Sequence, residues 1–301
     1  MSNALLFAGE NLRAIGLMVA GRAVFAASDT FTKLAGEGGL PASEIVVLRN
    51  TIALPILIAI AWRLGALRHW RAIRDPAVLW RSVLEGIGLF AFVTALPHVQ
   101  IGQSTVILLT VPIILVALSA FVFKEQVGWR RWTAIIVGFI GVFMVAGPGG
   151  GASNIYVLIT LVTAFAWAVR DLITSRIAGH IPSIMVALTA VSISALVALP
   201  GAAAGDWRAL SGDQTLYLLA SGCLVAFANL LYISALRMGA ISVVAPFRYT
   251  GAVWATLAGF MVWGDVPDIW GVVGTLLIIG SGLYTFYREL ELARAGRRAR
   301  A

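Results

Sequence analysis

Long apolar stretches alternate with short polar breaks along the whole chain. Ten such stretches stand out, at roughly 11–35, 43–63, 77–97, 101–122, 128–147, 154–177, 182–201, 213–236, 241–263 and 268–287. Most are about 20 residues long, the length a helix needs to cross a hydrocarbon layer of about 30 Å. The breaks hold turn residues: Gly36, Gly38, Gly39 and Pro41, then Asp75 and Pro76, the glycine-rich run 147–151, Pro182, Gly201 and Gly205, and Pro267. Backbone polar groups inside a bilayer must bond internally, which admits only helices or closed barrels. The runs are too long and continuous for barrel strands. The pattern therefore predicts an all-α integral membrane protein of about ten transmembrane helices.

Composition agrees: 60% of the residues are hydrophobic, 12% are charged, and the mean hydropathy is +0.92. Soluble domains carry about 25% charged residues. The net charge of +8 is not the footprint of a nucleic-acid binder, because the basic residues sit in short loops. With the N-terminus inside and the loops alternating, sixteen of the 22 basic residues fall on the inner side. These are Arg13, Arg63, Arg68, Arg71, Arg74, Arg81, Lys124, Arg130, Arg131, Arg176, Arg237, Arg288, Arg294, Arg297, Arg298 and Arg300. Only Arg208 falls outside, and the remaining five lie within spans. This asymmetry predicts a multi-pass inner-membrane protein with both termini in the cytoplasm. The first apolar run lacks a basic leader and a cleavage site and is expected to be retained. A single cysteine, Cys223, permits no disulfide within the chain.

The two halves echo each other. Thr94-Ala95-Leu96 and Ser234-Ala235-Leu236 precede similar spans, each followed by an acid at the same offset, Glu125 and Asp265. The stretch from Asp29 to Lys33 is matched by the stretch from Asp171 to Arg176. Each half holds five spans, an odd number, so the second half enters the membrane from the opposite face. Such inverted repeats favour secondary transporters with a site between the halves. The expected organisation is a first repeat over 1–147, a connector at 148–152, a second repeat over 153–290 and a basic cytoplasmic tail over 291–301.

These features resemble the EamA-type branch of the drug/metabolite transporter superfamily. The resemblance rests on Asp29 and Lys33 in the first span, Arg49 in the second, and Leu108-Leu109-Thr110-Val111-Pro112. The run from Phe123 to Trp132, the run Gly138-Phe139-Ile140-Gly141-Val142, Val244-Ala245-Pro246-Phe247-Arg248-Tyr249 and Gly280-Ser281-Gly282-Leu283-Tyr284 extend it over nearly the whole chain. Lys124-Glu125 and Gly264-Asp265 stand where the family usually has Gly-Glu, which keeps the acid in place. The resemblance implies ten helices in two inverted five-helix repeats and alternating access for a metabolite.

Charges within spans cost at least about 2.5–3.5 kcal/mol each to insert, so each needs a reason. Arg22, Asp29 and Lys33 are spaced by seven and four and share one face of the first helix. Arg49 lies at a depth similar to Asp29. Arg170, Asp171 and Arg248 form an opposite, inner group. Asp29, Lys33, Arg49, Arg170 and Asp171 are thus candidates for gating and coupling, or for a structural ion-pair network. Glu85 is explained by Arg81 one turn earlier. Arg22 and Arg248 are candidates to grip an anionic solute, with Trp167, Asn229, Tyr232 and Tyr249 lining the same site. Gln103, Ser104, Thr105 and Trp254 are further polar or aromatic positions, and interhelical glue is the alternative for all of them. His98, at the outer end of the third span, reads as a wetted loop residue or a proton sensor. Gly138-x-x-Gly141 and Gly271-x-x-Gly274 permit close helix contact, including a homodimer.

The expected function is secondary active transport of a small polar metabolite, an amino acid or carboxylate-bearing solute. The five basic and three acidic residues in the spans (Asp29, Glu85 and Asp171) favour an anionic group. The partners expected are that solute, membrane lipid and a proton as coupling ion, because buried carboxylates such as Asp29 and Asp171 can exchange one. No phosphate-cradling loop and no metal-spaced ligand set occurs, so no cofactor is expected and the chain does not read as an enzyme. The rival readings are a membrane-embedded enzyme of lipid or precursor metabolism and a non-transporting structural or receptor subunit.

Overall fold

The structure is a computed structural model describing residues 2–122, 129–146, 153–174, 177–205, 207, 209–238 and 244–298. The motif at 123–128 with Lys124 and Glu125, the connector 148–152, Arg176, Arg208 and residues 299–301 lie outside them. Among the described residues eleven helices carry the fold: α1 (Ser2–Glu37), α2 (Ala42–Arg63), α3 (Pro76–Ala95), α4 (Ile101–Leu108), α5 (Val111–Val122) and α6 (Trp129–Ala146), then α7 (Ser153–Thr174), α8 (Ser183–Ala203), α9 (Gly212–Met238), α10 (Thr250–Trp263) and α11 (Ile269–Arg298). Three 3-10 segments join them, at Ala66–Arg74, Leu96–His98 and Ala245–Tyr249. Among the described residues, six helices are long and apolar enough to cross a membrane, with shorter apolar stretches at Ile101–Ile114, Trp132–Val145 and Ile269–Tyr284.

Local chemistry sets the helix ends. Pro41 and Pro182 stand in extended conformation before α2 and α8. Asp75 caps α3, its carboxylate accepting from the Ala77 and Val78 amides at 2.9 and 3.3 Å, and Pro76 gives up no needed donor there. Gly264 closes α10 in the left-handed region at φ 71°, a conformation costly for other residues.

Among the described residues, two of the ten predicted spans are broken. The fourth is split at Leu109 and Thr110, where the Thr110 amide bonds to Ile107 O at 3.0 Å and a 3-10 turn replaces helix just before Pro112. The ninth, as far as it is described, contains the 3-10 segment Ala245–Tyr249 with Pro246, followed by α-helix from Thr250. Proline removes the donor that a continuous helix would need at each place.

The helices pack with an internal two-fold logic. Spans five apart correspond: α1 with α7, α2 with α8, α3 with α9, the α4–α5 pair with the ninth span, and α6 with α11. The contact of α1 with α9 is then the equivalent of α7 with α3, and both are major contacts. The pairs α2 with α8, α4 with α10 and α6 with α11 map onto themselves, and each is formed. This is an all-α membrane fold of two inverted five-helix repeats. Its surface is that of a lipid-facing bundle: Ile136, Ile140 and Phe143 on α6, and Ile155, Leu158, Val162 and Phe165 on α7, are exposed at helical spacing. Polar residues such as Ser28, Thr32, Arg49 and Ser221 are buried instead.

Of the glycines proposed for close helix contact, Gly138, Gly141 and Gly274 meet a neighbouring helix of the same chain, while Gly271 meets only the turn before its own helix. A Cβ on Gly141 would lie 2.8 Å from Ile278 Cγ1, and one on Gly274 would lie 2.8 Å from Val145 Cγ2, so α6 and α11 approach nearly backbone to backbone.

Candidate functional site

The face of the bundle where α1 begins also holds the α2–α3 connection and the α7–α8 connection. Just inside it, a chain of alternating charges crosses between the repeats. Arg81 on α3 donates to Glu85 at 3.2 Å. Glu85 also accepts from Arg170 Nη1 on α7 at 2.7 Å. Arg170 donates through Nε to Asp171 Oδ1 at 2.9 Å, with Nη2 2.7 Å from the same oxygen. Asp171 Oδ2 faces Arg248 Nη2 at 3.8 Å. The network thus links α3 of the first repeat with α7 and the 3-10 segment of the ninth span in the second. Three cations share two carboxylates, leaving a net positive charge.

That surplus sits beside Arg22. The guanidinium of Arg248 lies 5.7 Å from the centroid of the Tyr232 ring. Phe25 meets the same ring edge-on at 6.1 Å, and Arg22 lies 5.9 Å from the Phe25 centroid. Arg22 also lies against the backbone of Gly251, where a Cβ would be 2.8 Å from its Cζ. Arg22 Nε is buried without a hydrogen-bond partner. The structure therefore brings Arg22, Tyr232 and Arg248 into one neighbourhood formed by α1, α9 and the ninth span. Tyr249 points elsewhere: its hydroxyl is buried without a hydrogen-bond partner and lies against Gly282 on α11.

Trp167 stands between the charge chain and the core. Its ring packs on Phe92 at 5.9 Å and under the Arg170 guanidinium at 5.1 Å. Trp167 and Trp254 join the same apolar cluster, and the indole N–H of each is buried and unbonded. Asn229 is different. Its amide donates to Val225 O in its own helix at 2.9 Å, a local partner not anticipated from the sequence.

Towards the opposite face a second set of charges is buried. Arg49 Nη1 is 3.9 Å from Asp29 Oδ1 and donates to Thr32 Oγ1 at 3.3 Å. Thr32 and Ser28 meet Ser221 of α9 at 2.7 and 3.2 Å, so a hydroxyl ladder ties α1 to α9. Further out, Lys33 donates to Val99 O at 2.8 Å, is 3.8 Å from Glu37, and sits 4.5 Å from the Trp263 ring. Glu37 in turn accepts from Trp263 Nε1 at 2.8 Å. These contacts join α1, the α3–α4 turn and the end of α10. Nearby, His98 stacks on Tyr156 at 4.0 Å.

Two features were missed in the sequence. Glu85 pairs more closely with Arg170 than with Arg81, a partner 85 residues away. The ladder of Ser28, Thr32 and Ser221 left only the weak sign of two hydroxyl residues four apart on α1. Gln103, for which lining and interhelical glue stood as alternatives, bonds to the Val145 carbonyl on α6. Two open clefts lie away from the charges described. One is an apolar groove of about 300 Å³ at Ile140, Phe143, Met144 and Trp270; the other is a basic cleft of about 500 Å³ at the α2–α3 connection.

A two-repeat helical membrane bundle with buried charge networks bridging its halves defines a membrane transport protein. The chain belongs to the EamA-like transporter family, whose model matches residues 12–147 and again 154–287. It is similar to a riboflavin transporter of Vibrio cholerae, 29% identical over 293 residues, covering 94% of this chain and 96% of that protein. It is also similar to an S-adenosylmethionine uptake transporter of Rickettsia felis, 24% identical over 281 residues, covering 92% and 94%. A solved crystal structure shares the fold at TM-score 0.61 and 19% identity, covering 91% of this chain and 95% of that one.

Proposed function

We propose that this transporter carries a small polar metabolite with an anionic group, an amino acid or carboxylate-bearing solute, by alternating access. It does so as a secondary active transporter of the inner membrane, with both termini cytoplasmic and a proton as coupling ion. The observation that carries this reading is the convergence of Arg22 and Arg248, one from each repeat, around Tyr232. Arginine keeps its charge in a buried site and can grip a carboxylate with two parallel hydrogen bonds. Arg22 Nε has such capacity unspent. In this reading Asp29, Lys33 and Arg49 form one gate, and Arg170 and Asp171 form the other. Trp167, Asn229 and Tyr232 shape the space between, and Tyr249, turned towards Gly282 on α11, supports it from behind.

The relatives supply candidates. S-adenosylmethionine has an amino-acid carboxylate and fits the paired arginines. A second reading, a planar heteroaromatic solute such as riboflavin, is favoured by the unbonded indole N–H groups of Trp167 and Trp254 in one cluster. A thermal-shift screen of the purified chain against both compounds and an amino-acid panel separates these, since a ligand of the folded state raises its stability. Flux into proteoliposomes then tests transport. Carboxylate-bearing solutes should be carried, and Arg22→Lys or Arg248→Lys should raise their apparent KM. Unchanged affinity in both variants, or flux of riboflavin alone, sinks the paired-arginine reading.

A further inference from the structure

The α2–α3 connection is built as more than a loop. After Gly65, residues Ala66–Arg74 form a 3-10 segment lying across the end of the bundle. Leu67 and Ile73 pack on the apolar cluster of α2, α8 and α9, with Ala66 buried beneath. This anchoring leaves Arg68, Arg71 and Arg74 exposed on the other side. Together with His69 and His180 they line the open cleft of about 500 Å³, in which Asp75 is the acidic member. The Asp75 carboxylate is already engaged as the cap of α3. His69 departs from helical geometry (φ −92°, ψ 26°), and its Nδ1 is buried with no hydrogen-bond partner. The exposed Trp70 ring has the guanidinium groups of Arg71 and Arg74 at 5.8 and 5.3 Å from its centroid.

We infer that this cleft is a binding site for the phosphate headgroup of an anionic phospholipid. Three arginines converge on a space large enough for a phosphodiester, and arginine binds phosphate oxygens through paired donors. His69, as the Nδ1–H tautomer, supplies a further donor from below. The position selects a lipid over a soluble anion. The segment runs directly on from a membrane helix, and Trp62, Trp70 and Trp80 are all exposed around it, as in an aromatic belt at headgroup level. Basic pockets at this level between membrane helices suit anionic headgroups. Acyl chains would pass the tryptophans while the phosphate meets the arginines. Because His180 belongs to the α7–α8 connection, a bound lipid touches both repeats at this face. The inference is independent of what the protein transports.

Native mass spectrometry of the full chain in detergent tests this, with phosphatidylglycerol and phosphatidylcholine of identical acyl chains added in turn. The expected result is phosphatidylglycerol binding about tenfold tighter or more, weakened by salt. Arg71→Gln/Arg74→Gln should reduce it to the phosphatidylcholine level, and the exposed His180→Ala should weaken it in part. Equal binding of the two lipids by the unaltered protein overturns the inference without recourse to any variant. So does a full preference retained in the double variant. Displacement of phosphatidylglycerol by inorganic phosphate at equal concentration would assign the cleft to a soluble anion and overturn it as well.

Discussion

Arg49 is 3% exposed and depends on Asp29 and the Thr32 hydroxyl for its charge. Removing one partner of a buried pair leaves an uncompensated charge, which costs more than the pair itself contributes. Asp29→Asn should therefore destabilise the protein in micelles by about 1–3 kcal/mol, allowing for new partners found in the unfolded membrane state. Asp29→Leu/Arg49→Leu should recover much of that stability. If the double variant loses as much as the two single variants together, the charges are independent. Gly251 offers a finer probe of Arg22. A Cβ there would meet the guanidinium, the movable end of a long side chain. Gly251→Ala should change stability by no more than about 1 kcal/mol while raising apparent KM several-fold with kcat little altered. An unchanged KM would remove Arg22 from the solute site. The charged residues themselves were plain in the sequence, because a charge in an apolar run needs a partner. Which partner was less plain. Arg22, Asp29 and Lys33 share a helix face as spacing predicts, yet each meets a different neighbour at a different depth. Glu85 looked satisfied by Arg81, since only the local partner is visible in one dimension.

The spans were legible as elements because apolar length is dictated by the bilayer, and among the described residues the fourth and ninth are the ones interrupted by 3-10 turns. The bend at Pro246 was readable from the missing backbone donor. Its counterpart before Pro112 was not, because proline in the first turn of a helix is tolerated and the apolar run continues through it. The two breaks occupy equivalent spans, the fourth of each repeat, and the second places Arg248 on non-α backbone. Irregular backbone at membrane depth survives where protein or a cavity satisfies it. If the break positions Arg248 for solute, Pro246→Ala should keep or slightly raise thermal stability while turnover in proteoliposomes falls several-fold. Turnover equal to the wild type would make the break a packing feature only.

At the scale of the molecule, the five-span repeat explains why α1 meets α9 while α3 meets α7. An inverted copy must exchange such pairs, and no local pattern in either half announces them. The approach of α6 to α11 was foreshadowed by glycines, but the spacing could not say whether the partner helix lay in the same chain. Orientation is a different matter, because it is set by loop charge during insertion rather than by packing. The described helices cross alternately, so the α2–α3 connection, the end of α7 and the end of α11 share the face where α1 begins. Those are the segments whose loops carry the arginine excess in the sequence, where alternation of ten spans assigns sixteen basic residues to that side and Arg208 to the other. Both termini should therefore be cytoplasmic. Alkaline phosphatase fused after Ala301 should be inactive in cells, and green fluorescent protein at the same site should fluoresce. The reciprocal fusions after Gly205, in the α8–α9 connection, should give phosphatase activity and no fluorescence. Phosphatase activity at the C-terminus would require an odd number of crossings. It would also place the Arg68–Arg74 cluster and the tail on opposite sides, and the two-repeat arrangement could not stand.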